Sequence, residues 1–229
     1  MTVTEILQNM WDIFIKYYIG AGLLWSGIGY TLLLSAITVL AGAILGSLMA
    51  LGKRTHFKPL IFVITAFVEI LRGTPLLLQL YVAYFIIPML LKVPGLSPFT
   101  SVAIAMSLNS AAYVSEIIRS GIEAVDKGQT EAARALGLTG KTTMLKIVLP
   151  QAVKNILPAL GNEFITVIKE TSLASTFFVG DLMTTYKVIN GVTFQTIPVL
   201  FDMAIFYFLL TFSLSKLLVV FERRMKKRA

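Results

Sequence analysis

The 229-residue chain holds little that could make or break a covalent bond. It has no cysteine, and its single histidine, His56, stands beside Lys53, Arg54 and Lys58. Zinc sites and His-dependent triads therefore lack material. Ala135, Gly140, Lys141 and Thr142 satisfy a relaxed phosphate-loop spacing, but the first glycine is missing and an Ala-rich helical stretch stands where a buried strand is needed. What remains are polar side chains set inside apolar runs: Arg72, Asn109, Tyr113, Glu116, Asn162, Glu163 and Asp202. Ionisable groups are costly in hydrocarbon and mark functional positions by default. Their chemistry is recognition of a polar solute, with carboxylates for a cation and a guanidinium or helix-end dipole for a carboxylate.

The elements that carry these groups are membrane helices. Hydrophobic residues make up 56% of the chain and charged ones 14%, against about 25% charged in soluble domains, and the mean hydropathy is +0.81. The net charge of +8 does not indicate nucleic acid, because Lys and Arg are confined to short segments between apolar runs. The N-terminal stretch lacks a basic region before its apolar part, so no cleaved signal peptide is expected.

Crossing a bilayer takes about 20 apolar residues. The chain reads as an all-α integral membrane protein, one membrane domain over residues 1–229 with five candidate spans at 23–51, 59–91, 99–120, 152–179 and 197–220. Residues 4–18 read as an amphipathic helix at the membrane interface. Lys53, Arg54 and Lys58 follow the first span. Arg119, Lys127, Arg134, Lys141, Lys146 and Lys154 lie between the third and fourth, and Arg223, Arg224, Lys226, Lys227 and Arg228 follow the fifth. An odd number of spans puts all three groups on one side, so the positive-inside rule predicts an outer N-terminus and a cytoplasmic C-terminus. The second candidate is too long for one straight crossing and too short for two, and Arg72-Gly73-Thr74-Pro75 interrupts it. One long, broken or protruding helix is expected there. Gly42, Gly46 and Ala50 form a small-residue stripe for helix packing.

Between the third and fourth spans, residues 126–150 form the longest cytoplasmic stretch. Asp126 followed by Gln129 resembles a capping box, and Gly137 stands where a helix stops. Ala132, Ala135 and Leu136 share one face, on which small side chains admit a partner's backbone. Thr139 is placed to cap a second short helix running to Leu149 and ended by Pro150.

Glu131-Ala132-Ala133, Gly137, Ile147, Leu149 and Pro150 reproduce the pattern EAA-x3-G-x9-I-x-L-P. This resembles the cytoplasmic signature of permeases of ATP-binding-cassette importers. Glu69–Leu77, Ala112–Arg119 and Lys169–Leu173 extend the resemblance to the polar amino-acid uptake family. That family implies a type I importer fold with a five-span core in the bacterial plasma membrane, and no enzymatic activity in this chain. It implies a second permease copy, a pair of separate ATPase subunits that bind ATP and magnesium, and an extracytoplasmic amino-acid-binding protein. It makes the segment around Gln129, Glu131, Ala132, Ala133, Arg134, Leu136 and Gly137 the helix that docks on the ATPase. This chain itself is expected to hold no cofactor and no metal.

The intramembrane polar residues then become candidates for the solute path. Asn109, Tyr113 and Glu116 share one face at i, i+4 and i+7. Arg72 is either neutralised by Glu69, one turn earlier, or faces the path and attracts a carboxylate. Asn109 and Asn162 are expected to hold neighbouring helices by hydrogen bonds. Glu163, with Glu116 or Asp202, is expected to meet the side chain of a cationic amino acid. A secondary transporter would show inverted repeats, and none is visible.

Overall fold

Length and apolarity decide the long helices, and local polar residues decide where they stop. The computed structural model describes residues 2–92 and 94–227 and has no strand among them. Helix α1 (Val3–Ile13) opens with a reciprocal cap between Thr2 and Glu5, then widens into a π-helical turn over Phe14–Gly20. There follow α2 (Leu23–Gly52), α3 (Lys58–Gly73), α4 (Leu76–Leu91), α5 (Pro98–Glu123), α6 (Lys127–Ala135), α7 (Gly140–Thr143), α8 (Leu149–Glu170), α9 (Leu182–Thr193) and α10 (Thr196–Lys227). Of the basic tail, Arg228 lies outside the described residues.

Three of these helices, α2, α5 and α10, are long and apolar enough to cross a membrane. The pair α3 and α4, taken as one broken span, is a fourth. The break falls where the sequence suggests: Thr74 is extended at φ −119° and ψ 148°, and Pro75, which has no N–H, follows it. The expected span 152–179 is helical only as far as Glu170. Lys154, Glu163, Lys169 and Glu170 make it more polar than the other spans. Beyond it, Thr171–Phe177 tightens to a 3₁₀ turn and ends at Phe178, in the left-handed region at φ 51°. Helix α9 was not foreseen. Its polar composition hides it from hydropathy, although Asp181 caps it by accepting a hydrogen bond from the Met183 N–H.

The chain forms two compact units, whose boundaries fall inside the long helices. One comprises the chain up to Thr38, Leu76–Met106 and Ile165–Ser215. Its core gathers Tyr18, Leu24, Leu182, Ile189, Val199 and Met203. Tyr18 is fully buried and meets the Phe206 ring edge-on at 5.0 Å, so the N-terminal segment is fastened by its second half, while Leu7 and Trp11 stay exposed. The Leu182 N–H donates to the Thr31 hydroxyl at 3.0 Å and seats α9 on α2.

The other unit comprises Val39–Pro75, Ser107–Phe164 and the chain from Lys216 on. Here the small-residue stripe does what its spacing implies. A Cβ on Gly42 would press on Ser110, and one on Gly46 would press on Ala111 and Val114, so α2 and α5 touch nearly backbone to backbone. A second core of Val125, Val148, Ala152 and Ile156, with Ile118, Ile122 and Met144 around it, ties the end of α5 to α8.

Candidate functional site

Helix α6 is built by local capping. The Asp126 carboxylate accepts the Gly128 N–H at 2.6 Å. The reciprocal half of the expected capping box is absent among the described residues: the Gln129 side-chain oxygen Oε1 instead accepts from the Gln151 side-chain amide at 3.5 Å. At the far end Gly137 adopts φ +82°, where only glycine sits freely. The Gly137 N–H returns to the Arg134 carbonyl and the Leu138 N–H to that of Ala133, closing a Schellman stop. The Arg134 guanidinium donates to the Leu138 carbonyl and braces the turn. Ala133 is the buried anchor at 2% exposure; Glu131, Ala132, Ala135 and Leu136 all face outward, Leu136 at 83%. A helix with so bare a leucine presents a face unpartnered within its own chain.

Thr139 caps α7 as expected, accepting from the Thr142 N–H at 3.2 Å. Pro150 does not end the segment. A π-helical turn over Met144–Val148 runs directly into α8, whose second residue is Pro150. Proline is tolerated in a helix's first turn, and a widened turn accommodates a ring that would clash in a regular one. The Gln151 side chain also donates to the Ile147 carbonyl at 2.9 Å. Helix α6 is thus followed by α7 and this widened turn before the helix that carries Glu163.

In the same unit a charge cluster forms around Glu116 of α5. The Lys53 ammonium lies 2.8 Å from one carboxylate oxygen, and the Arg119 Nε lies 2.8 Å from the other. Arg72 stands farther off at 3.8 Å, its guanidinium 5.5 Å from the centre of the Tyr113 ring. Arg119 also pairs with Glu123. Glu69 forms no ion pair among the described residues, so the expected partner for Arg72 is replaced by Glu116. Lys53, unforeseen as a site residue, is 15% exposed and comes from 63 positions away, a pairing no local pattern signals. The Asn109 amide donates to the Leu71 carbonyl at 3.4 Å, the inter-helix bond expected of it. A cavity of about 370 Å³ opens beside the cluster, walled by Arg72, Tyr113, Glu116, Ser120, Asn155 and Ala159.

Glu163, on α8, has a quieter setting. One carboxylate oxygen accepts from the Ser110 hydroxyl at 3.0 Å, and no cation pairs with it among the described residues. Asn162 is exposed and makes no inter-helix hydrogen bond among the described residues. Asp202 belongs to the other unit. It is 5% exposed beside an apolar hollow lined by Trp11, Trp25 and Phe206, and one of its carboxylate oxygens has no hydrogen-bond partner among the described residues.

The model of the binding-protein-dependent transport system inner membrane component family matches residues 42–227, which takes in the Glu116 cluster, Glu163 and α6. The chain belongs to this family. As its inner-membrane component, it is a multi-pass transport permease and not an enzyme. The arginine transport system permease protein of Bacillus subtilis is 40% identical over 87% of this chain and 91% of its own length. The L-cystine transport permease of the same organism is 39% identical over 97% and 90%. A putative glutamine permease of Rickettsia felis is 39% identical over 94% and 99%. Among solved structures, an amino acid ABC transporter crystallised with histidines superposes with a TM-score of 0.88 at 42% identity, covering 92% of this chain and 98% of that one. The permease fold is therefore that of a type I importer. The methionine transporter MetNI, at 18% identity and a TM-score of 0.64, shares the fold alone.

Proposed function

We propose that this permease forms the path by which a basic amino acid enters the cell, delivered by an extracytoplasmic binding protein and driven by a separate ATPase pair. The observation that carries the substrate class is Glu163: a carboxylate in the membrane part of the chain with one hydroxyl partner and no cation. An intramembrane carboxylate in that state needs a proton or a positive ligand. Relatives named for arginine, cystine and glutamine stand at 40%, 39% and 39% identity, so overall similarity does not choose among them and the site must. In this reading Arg72, with Tyr113 and Glu116 beside it, receives the α-carboxylate on the inner side.

The ATPase engages Glu131, Ala132, Ala135 and Leu136, and ATP and magnesium stay in that partner. Two copies of the chain enclose the path, with the N-terminus outside and the basic C-terminus in the cytoplasm. Reconstitution with the ATPase and binding protein tests the proposal through uptake of arginine, glutamine and glutamate. Arginine uptake should exceed the others, and Glu163→Gln should lower it about tenfold or more, the loss expected for a hydrogen bond to a charged group. Unchanged arginine and glutamine uptake in that variant would refute the substrate assignment.

A further inference from the structure

One cavity is in the unit that does not contain Glu116 or Glu163, and the transport path described so far does not use it. It measures about 640 Å³ and is walled by the 3₁₀ turn, α9 and the first half of α10. Its polar lining includes the ammonium groups of Lys169 and Lys187 and the hydroxyls of Ser172 and Thr176, while the Thr211 hydroxyl is spent on the Tyr207 carbonyl. No aspartate or glutamate lines it, and neither lysine forms a salt bridge among the described residues. Leu173, Met183, Leu200 and Phe208 complete the wall. Two like charges on a low-dielectric surface, with no acid between them, focus a positive potential that attracts an anion.

Lys187 is also held in place. Its helix is capped by Asp181, which accepts from the Met183 N–H and the Thr184 hydroxyl, and is tied to α2 through Thr31 and through the Thr185 hydroxyl, which donates to the Leu23 carbonyl. The Lys187 ammonium donates to the Ser175 carbonyl at 2.8 Å and lies 5.4 Å from the centre of the Phe178 ring. That carbonyl takes one of its three protons, leaving two for a ligand. Phe178 itself holds a left-handed conformation uncommon for a bulky residue.

We propose that this cavity is a carboxylate-binding site that receives the α-carboxylate of the transported amino acid, with Lys187 and Lys169 as the paired cations. The inference rests on the amino-acid permease reading above but does not depend on which side chain is carried. Lys169 and Lys187 lie in a different unit from Arg72 and Glu163, so this cavity is a separate station for the carboxylate, distinct from the one that Arg72 provides.

The permease–ATPase complex in nanodiscs, without binding protein, is titrated with arginine and glutamine and with their α-carboxamides. The wild type should bind each amino acid about tenfold more tightly than its amide, as a charge-assisted hydrogen bond provides. Lys187→Met should bring that ratio close to one, and Lys187→Arg should restore most of it. Lys169→Met, at an exposed position, should lower the ratio by a smaller factor. An unchanged ratio in Lys187→Met, or equal weakening of acid and amide, overturns the proposal. So does displacement of arginine by glycerol phosphate at equal concentration, since the cavity would then read phosphate headgroups. A complex that takes up no amino acid with its binding protein present would instead overturn the permease reading.

Discussion

Glu116 and Glu163 are both intramembrane carboxylates of one unit, yet they differ in kind. Glu116 is saturated: two close cations, a third at 3.8 Å, and 16% side-chain exposure. Glu163 has one hydroxyl. A carboxylate surrounded by cations has little left to offer a positive solute, and removing it strands the charges that it holds. A carboxylate with one neutral partner contributes little to the fold and keeps its charge for a ligand. Glu116 therefore belongs to the scaffold, and Glu163 is the carboxylate that the proposed function gives to the solute, although sequence position alone makes them look alike.

The sharpest way to break this distinction is Glu116→Gln. The change keeps the shape and removes the charge from among Lys53, Arg119 and Arg72, so the complex should lose about 3 kcal/mol of stability, the low end for breaking a buried pair. Thermal unfolding of the purified permease–ATPase complex measures it. A loss below about 1 kcal/mol would put Glu116 with ordinary surface pairs.

Lys53→Met should come second, at about 1–2 kcal/mol. Methionine fills much of the lysine stem's volume, and Glu116 keeps Arg119. Because the two residues touch, the double variant should fall short of the summed single losses by about 0.5 kcal/mol or more. Strict additivity would mean that the 2.8 Å contact contributes nothing.

How far such pairs could be read beforehand depends on the distance along the chain over which each is decided. The short helices after α5 were legible because Asp126, Gly137 and Thr139 each act within a few residues, and the Gly42–Gly46 stripe because helical period alone puts both on one face. The pairing of Lys53 with Glu116 was not, since it joins residues that only the packing of α2 on α5 brings together. Glu69 was a reasonable expectation for Arg72 by helical spacing, and a tertiary partner displaced it. Pro150 misled for a local reason: the widened turn over Met144–Val148 has no compositional signature and lets a helix continue where proline usually ends one. Helix α9 was missed because Thr184, Thr185, Lys187 and Asn190 lower its hydropathy. Its legible signs were Asp181 at the cap and the helical spacing of Leu182, Tyr186 and Ile189.

Glu163→Gln sharpens the contrast from the other side. Its single hydrogen bond survives in neutral form, since the amide oxygen still accepts from Ser110, and a buried charge is removed. Stability should change by less than about 1 kcal/mol while uptake of the cationic amino acid falls. Loss of stability equal to that of Glu116→Gln would erase the distinction between the two carboxylates.

Arg72→Gln should have the smallest effect on stability, within about 0.5 kcal/mol. The side chain is 44% exposed, its ion pair is long, and Glu116 keeps two closer partners without it. It also sits in the last turn of α3, where a cation gains a little from the helix dipole. Nothing among the described residues requires a guanidinium there, yet one stands at the wall of the cavity of about 370 Å³, over Tyr113 and next to the break at Thr74. If its use is to meet a carboxylate, Arg72→Gln should raise the KM for uptake more than it lowers the maximal rate. Arg72→Lys should recover only part of the loss, because an ammonium lacks the planar fork that grips both oxygens. A stability loss in Arg72→Gln larger than that in Lys53→Met would instead make Arg72 part of the scaffold with Glu116, and that cavity would have no cation to spare for a solute.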